Sequence, residues 1–421
     1  MISKPPGIED VFPDRIPKRN MITGAARDIF RIYNYREIII PIMEFTEVFV
    51  RGLGDQTDIV SKEMFTFEDR GGRSLTLRPE GTASVVRAYV ENGEYNRLAL
   101  NKFFYLGPMF RAERPQKGRL RQFNQFGAEL FGSGDPYHDF EMIALMDAIA
   151  KRTGIGDYRI LLNSIGCPEC RVEFVKALTA YYSGMKELLC RDCSARLDRN
   201  PLRLLDCKQA SCQPLKKDSP RITDYLCDGC KTHHAAVKGY LSGGGIAFHE
   251  DPLLVRGLDY YTRTTFEFVT ARLGGQNAFA AGGRYDNLVE EFGGNPTQAV
   301  GFAAGIERME LLLDNGAAPS GSLDVYIVHT GGETLARAVR ACGILREEGF
   351  SADLDPGTKG FKAQFKKADR EKARFALIFG EDEVSAGACT VKDLTSGEQA
   401  TVNEQSLNNY IRGKLNGYPP A

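Results

Sequence analysis

Phe103-Phe104-Tyr105-Leu106-Gly107-Pro108-Met109-Phe110-Arg111, then Glu113-Arg114-Pro115-Gln116-Lys117-Gly118-Arg119, then Arg121 to Phe131: the reading of this stretch decides the fold. Residues 102–112 and 121–131 are aromatic-rich and strand-like, and the bridge between them is charged. The pattern predicts an antiparallel hairpin with a long mobile tip. Side chains alternate across a strand, so Arg121, Phe123, Gln125 and Glu129 share one face. Polar groups on a half-buried sheet are costly unless they bind something. Arginine's planar fork matches phosphate oxygens, and a carboxylate suits an ammonium or an imidazole N–H. A structural Arg–Glu ion pair would use Arg111 and Glu129 equally well, and these residues alone leave both readings open.

Upstream, Ile22, Ala25, Ala26, Ile29, Ile32 and Tyr33 fall at helical spacing. They run into a strand-like segment, Glu37-Ile38-Ile39-Ile40, stopped by Pro41. Downstream, Asp139 to Lys151 is helical in pattern, and residues from about 165 to 240 hold a cysteine cluster that looks inserted. The small, polar segment from Asp314 to Ser322 reads as a linker. Beyond it, strand (325–328), helix (335–347), strand (351–355), helix (361–372) and strand (375–379) alternate, which implies a compact α/β domain.

With 421 residues, 43% hydrophobic and 26% charged, the chain has the composition of a soluble protein of two to three domains. No apolar run approaches a membrane span, and Met1 to Pro6 has no apolar signal core, so a cytoplasmic location is expected. The net charge of −1 announces no nucleic-acid partner. A local cluster of Lys359, Lys362, Lys366, Lys367, Arg370, Lys372 and Arg374 is either a solvated helix face or a phosphate-contacting one.

Four further clusters carry polar chemistry. Arg78-Pro79-Glu80-Gly81-Thr82 combines acceptors with a glycine, as a capped turn also would. In Leu254-Val255-Arg256-Gly257-Leu258-Asp259-Tyr260-Tyr261-Thr262-Arg263, strict alternation separates Arg256 from Tyr261, and both reach one pocket only if the chain loops near Gly257. Ala281-Gly282-Gly283-Arg284-Tyr285-Asp286 follows. In Gly301-Phe302-Ala303-Ala304-Gly305-Ile306-Glu307-Arg308-Met309, small residues let a helix pack on a sheet, and Arg308 projects from the first helical turns, where phosphate is favoured. Any one glycine pair is more often packing than function.

As an ordered set these clusters say more. Phe110 to Arg119 resembles motif 2 of the class II aminoacyl-tRNA synthetases, Gly301 to Met309 resembles motif 3, and the helix–strand–Pro41 unit is similar to motif 1. Leu254 to Thr262 and Gly282 to Leu288 resemble the two signature segments of the histidyl-tRNA synthetase family. The resemblance implies an α+β fold: a six-stranded antiparallel catalytic sheet with a Cys-rich insert, motif 1 at a homodimer interface, and a C-terminal α/β anticodon-binding domain. The implied boundaries are 1–320 for the catalytic domain, with motif 1 about 18–41, motif 2 about 102–131 and motif 3 about 300–312. The insertion spans 165–240, and the anticodon-binding domain spans 324–421.

The implied activity is ATP-dependent activation of L-histidine to histidyl-adenylate and pyrophosphate, with Mg²⁺, followed by transfer to the 3′ end of tRNA(His). The implied histidine site is Glu80, Gly81, Thr82, Gln125, Glu129, Tyr260, Tyr261 and Tyr285. Glu129 and Tyr261 would read the imidazole, and Glu80 and Gln125 would hold the ammonium. For ATP the family implies Arg111 on the α-phosphate, Arg119 and Arg308 on the β/γ end and Glu113 near the adenine. Arg256 would stand as a fixed cation by the α-phosphate. Arg111, Arg256 and Arg308 are thus the expected catalytic groups.

Cys167-Pro168-Glu169-Cys170, Cys190-Arg191-Asp192-Cys193, Cys207 with Cys212, and Cys227-Asp228-Gly229-Cys230 make four cysteine pairs. Their spacing suits up to two structural Cys₄ zinc sites, with His233 and His234 as substitutes for a thiolate. An insert that packs its cysteines as small apolar residues without metal is the alternative. Spacing does not say which cysteines share an ion. A rival to the whole reading is a catalytically inactive synthetase-like regulatory subunit of histidine biosynthesis. Such paralogues usually lack the anticodon-binding domain and active-site residues.

Overall fold

The computed structural model describes residues 2–54, 57–116, 118–274, 277–314, 323–357 and 360–415. Most of the expected linker, 315–322, and Lys117 and Lys359 of the charged stretches lie outside the described residues. The chain divides into two compact units, Met1–Ala317 and Ala318–Ala421.

The first unit opens with α1 (Ile16–Ile32), which buries Ile22, Ala25, Ala26 and Phe30. A two-residue strand follows, β1 (Arg36–Glu37). The expected strand through Ile40 stops here: Ile38 still donates to the Phe104 carbonyl, but Ile39 is 90% exposed. A small antiparallel sheet, β2 (Met43–Phe45), β3 (Phe65–Glu68) and β4 (Ser74–Leu77), carries α2 (Thr46–Leu53) between its first two strands. Next come α3 (Thr82–Glu91) and the hairpin β5 (Asn101–Phe110) and β6 (Gln122–Phe131), paired in register along its length. Then follow α4 (Pro136–Arg152) and β7 (Arg159–Ser164).

The insertion is made of α5 (Pro168–Ser183), α6 (Arg191–Leu197), single turns at Lys186–Leu188, Pro201–Leu204, Pro214–Lys216 and Ile222–Tyr225, and α7 (Asp228–Gly243). The chain returns through β8 (His249–Glu250), β9 (Thr262–Val269), β10 (Ala278–Arg284), α8 (Leu288–Glu291), β11 (Ala299–Gly305) and α9 (Ile306–Glu310).

The main sheet runs β1-β5-β6-β11-β10-β9-β7-β8. Its six central strands are antiparallel, as expected, and the two-residue edge strands β1 and β8 add on in parallel. Alternation then sorts the side chains. Phe126, Ala128 and Leu130 of β6 pack with Val300, Phe302 and Ala304 of β11 against α1 and α4. The intervening residues of these strands face the other way, and there the site forms.

In the second unit β12 (Val325–His329), β13 (Ala352–Leu354) and β14 (Phe375–Phe379) are parallel, with α10 (Gly332–Glu347) and α11 (Phe361–Arg370) as crossovers. The alternation read from sequence accounts for these elements. After α12 (Glu381–Ser385), two antiparallel strands extend the sheet, β15 (Ala388–Asp393) and β16 (Gln399–Asn403), before α13 (Leu407–Leu415). The order is β13-β12-β14-β15-β16.

Candidate active site

One cavity of about 280 Å³ on the open face of the main sheet gathers Glu80, Thr82, Gln125, Glu129's partner Tyr285, Tyr260 and Tyr261 with Arg111, Glu113, Arg119, Arg256 and Arg308. Glu129 and Gly81 are not on the cavity wall. Glu129 lies fully buried behind it, accepting from Thr82 Oγ1 at 2.7 Å and from the Tyr285 hydroxyl. Burial pushes its carboxyl up to about 8. Gly301, opposite Glu129 in the sheet, leaves room for this: a Cβ there would lie 1.8 Å from Glu129 Oε2. Gly81 is packed against Tyr105, whose ring would lie 2.3 Å from an added Cβ.

Glu80 caps α3. Its two carboxylate oxygens accept from the backbone N–H groups of Thr82 (2.7 Å) and Ala83 (2.8 Å), so the capping reading of this cluster is also realised. Arg78 has a structural part, donating to the carbonyls of Ile40, Pro41 and Pro108. Gln125 Oε1 and Arg256 Nε are buried in the wall without a hydrogen-bond partner among the described residues. Such atoms are costly in a closed core and suit a site that receives a polar ligand.

Leu254 to Tyr261 is irregular backbone ahead of β9, so the loop that the sequence required near Gly257 is present. It brings Arg256 over the Tyr261 ring at 5.7 Å and into an ion pair with Glu267. Tyr261 lies beside Tyr260, the rings tilted by 47° with centres 4.6 Å apart, and Tyr260 meets Tyr285 edge-on at 5.6 Å.

At the other end three arginines converge. Arg111 lies over Phe123 at 5.4 Å and donates to the Pro79 carbonyl. Arg308 donates to the carbonyls of Gly118 (3.0 Å) and Ala278 (2.6 Å). Burial, and then the charges of Arg119 and Arg111, pull the Arg308 guanidinium below its ordinary value. Glu113 sits between Arg119 (2.9 Å) and Arg111 (3.7 Å), where it offsets part of this positive charge. Arg121, expected on the same face as Gln125, instead precedes β6 and donates to the Glu113 carbonyl.

Sequence reasoning did not single out Glu267, Asp206 and Lys208 as wall residues. Glu267 had a signal, a lone carboxylate between Phe266 and Phe268 on an apolar strand. Asp206 and Lys208 come from the insertion and had none. Arg284, in the second signature segment, is fully buried on Asp139 and Ser133 rather than in the cavity. The eight clustered cysteines form two groups of four: Cys167, Cys170, Cys227 and Cys230, and Cys190, Cys193, Cys207 and Cys212. His233 and His234 face away from both, bonded to Asp139 (3.2 Å) and Glu250 (3.3 Å).

The six-stranded antiparallel core thus carries converging arginines on its open face and a buried carboxyl group behind it. Residues 7–309 match the family model "Histidyl-tRNA synthetase", and residues 324–414 match "Anticodon binding domain". The chain belongs to the histidyl-tRNA synthetase family. It is 49% identical over 404 residues to the histidine–tRNA ligase of Halothermothrix orenii, covering 95% of this chain and 96% of that one. With the histidine–tRNA ligase of Natranaerobius thermophilus it shares 45% identity over 98% of this chain and 99% of that one. The crystal structure of apo S. aureus histidyl-tRNA synthetase superposes with a TM-score of 0.82 at 35% identity, covering 98% of this chain and 100% of that one.

Proposed function

We infer that the protein is a histidine–tRNA ligase, which activates L-histidine with ATP and passes it to the 3′ end of tRNA(His). The observation that carries this reading is one cleft with cations at one end and a tyrosine-walled, carboxylate-backed recess at the other. Burial first, and then the facing charges of Arg119 and Arg111, lower the proton affinity of Arg308, and the three guanidiniums together favour an anion such as a nucleotide's phosphates.

In this reading Glu80 and the unpartnered Gln125 Oε1 accept from the histidine ammonium, with Gly81 and Thr82 fixing the turn that presents Glu80. Tyr261 and Glu129 read the imidazole, with Tyr260 and Tyr285 closing the recess. A flat ring with polar nitrogens on opposite edges can meet both groups, which an apolar isostere cannot. Arg111 and Arg256 hold the α-phosphate, Arg119 and Arg308 the β/γ end, and Glu113 lies near the adenine. The histidine carboxylate attacks the α-phosphorus in line, the Pα–O bond to pyrophosphate breaks, and the terminal ribose hydroxyl of the tRNA then displaces AMP from the carbonyl carbon. Positioning and fixed charge do the catalysis, with no protein nucleophile. Mg²⁺ carried by the ATP phosphates would neutralise charge on the departing pyrophosphate. The nearby carboxylates Glu113 and Glu267 already hold arginine partners, which suits a metal arriving with its nucleotide better than a dedicated cage.

Residues 324–421 would bind the anticodon arm, with Lys362, Lys366 and Arg370 spaced along the outer face of α11. A homodimer through motif 1 is supported by the exposed apolar residues Ile32, Ile39, Ile42, Met43 and Phe45. A cytoplasmic location suits a family that works in protein synthesis, and no helix among the described residues is long and apolar enough to cross a membrane.

The test is histidine-dependent ATP–pyrophosphate exchange with other amino acids as controls. Exchange with histidine alone supports the ligase. Silence from a folded chain overturns it in favour of the regulatory subunit.

A further inference from the structure

We propose that the chain holds two zinc ions, one on Cys167, Cys170, Cys227 and Cys230 and the other on Cys190, Cys193, Cys207 and Cys212. Within each set all four sulfur atoms lie within 4.8 Å of one another. Individual separations are 3.4 Å for Cys167–Cys170, 3.9 Å for Cys167–Cys227 and 3.8 Å for Cys190–Cys207. A disulfide needs about 2.05 Å. A tetrahedral ion with Zn–S bonds of about 2.3 Å sets sulfur–sulfur edges of roughly 3.8 Å, and the observed distances fall around that value. An iron–sulfur cubane interposes its own iron and sulfide and needs the thiolates farther apart.

The surroundings suit thiolates. Backbone N–H groups point at the sulfurs: Cys227 N at Cys170 Sγ (3.1 Å), Cys190 N at Cys212 Sγ (3.3 Å) and Cys193 N at Cys190 Sγ (3.5 Å). Lys216 is buried with its ammonium on the Cys207 carbonyl and has no carboxylate partner among the described residues. A buried ammonium calls for negative charge nearby, which a tetrathiolate zinc, net −2, supplies. With His233 and His234 bonded elsewhere, both sites are all-cysteine.

The two sets are nested, which gives each ion a different task. The outer set joins cysteines 60 residues apart, one just after β7 and the other at the start of α7, the helix that leads back to the sheet. There Gly166, at φ +67°, turns the backbone into α5 at a point where a Cβ would strike the Cys170 side chain. The inner set ties the segment from Cys207 to Cys212 to the start of α6, and so fixes Asp206 and Lys208 on the wall of the active-site cavity.

Elemental analysis of the full-length chain, incubated with zinc and dialysed, tests the assignment. Two zinc ions per chain are expected, and cobalt in their place should saturate at two equivalents with the strong visible bands of a tetrahedral tetrathiolate. Cys167→Ser/Cys227→Ser, altered within one set, should keep one ion, and Cys167→Ser/Cys190→Ser, altered across sets, should keep none. Fewer than two ions in the unaltered chain, or iron in place of zinc, overturns the proposal whatever the variants do. The reverse result for the two double variants overturns the pairing. Metal content is read without histidine, ATP or tRNA, so its failure and the failure of the ligase reading are distinct.

Discussion

Glu129 lies behind the cavity wall and Lys208 on it, and the two are placed by different physics. Glu129 sits on β6, which is paired on both sides with β5 and β11, so its direction follows from strand register and its burial is complete. Lys208 lies in the insertion, among short helices and single turns. That region joins the apolar core of the sheet unit through Phe174, Leu178 and Leu205, with α7 adding Val237 and Leu241, and polar ties at its rim put Arg196 and Arg203 on Asp58 and Asn200 on Asp259. A sheet sets many side chains at once through one register. A loop-rich insertion must be held point by point, and cross-links are the economical way to do it.

The sharpest way to break the sheet-built end is to remove a cation that it orients. Arg256→Ala should lower kcat for pyrophosphate exchange by about 10³-fold, ~4 kcal/mol, while leaving Glu267 without its partner. Equal exchange in variant and parent would show that this arginine only supports the fold.

Glu129→Gln comes next, with an expected loss of about 10²-fold in kcat/KM for histidine. The same group makes stability depend on pH. Because burial raises the carboxyl to about 8, the native chain keeps a proton that the unfolded chain releases. This group's contribution to stability is therefore complete below the unfolded value, declines as pH rises, and is gone above about 8. Urea denaturation across that window should show a smaller decline in the glutamine variant, and identical slopes would contradict it.

On the insertion side, a zinc chelator should expose residues 165–240 to protease while the β-sheet core resists, as gel analysis would show. The outer site should empty first, because Cys227 is exposed whereas Cys193, Cys207 and Cys212 are buried. Simultaneous cleavage throughout the chain would mean that the insertion is not a separate element.

The smallest effect belongs to the second unit. Lys362→Ala/Lys366→Ala should raise the KM for tRNA by about 3-fold and shallow its salt dependence, with pyrophosphate exchange unchanged.

Much of the sheet was legible because local rules decide it. The alternation of Phe123, Gln125 and Glu129 against Phe126, Ala128 and Leu130 holds in the structure, since a period of two leaves one face for each set. The β-branched run Ile38-Ile39-Ile40 misled for the opposite reason. Propensity favours a strand there, but pairing with β5 ends at Glu37, and Ile39 is left on the surface.

By itself the sequence determined the hairpin, the parallel strands of the second unit, the ordered motifs and the number of cysteine pairs, because each is written in neighbouring residues. The tertiary structure alone decided that Arg256 and Tyr261 meet, that Asp206 and Lys208 reach the cavity, that His233 and His234 turn to carboxylates, and that the cysteines nest as outer and inner fours. Those outcomes depend on where loops of many residues close, and closure is set by packing and charge across the whole unit, which no local pattern encodes.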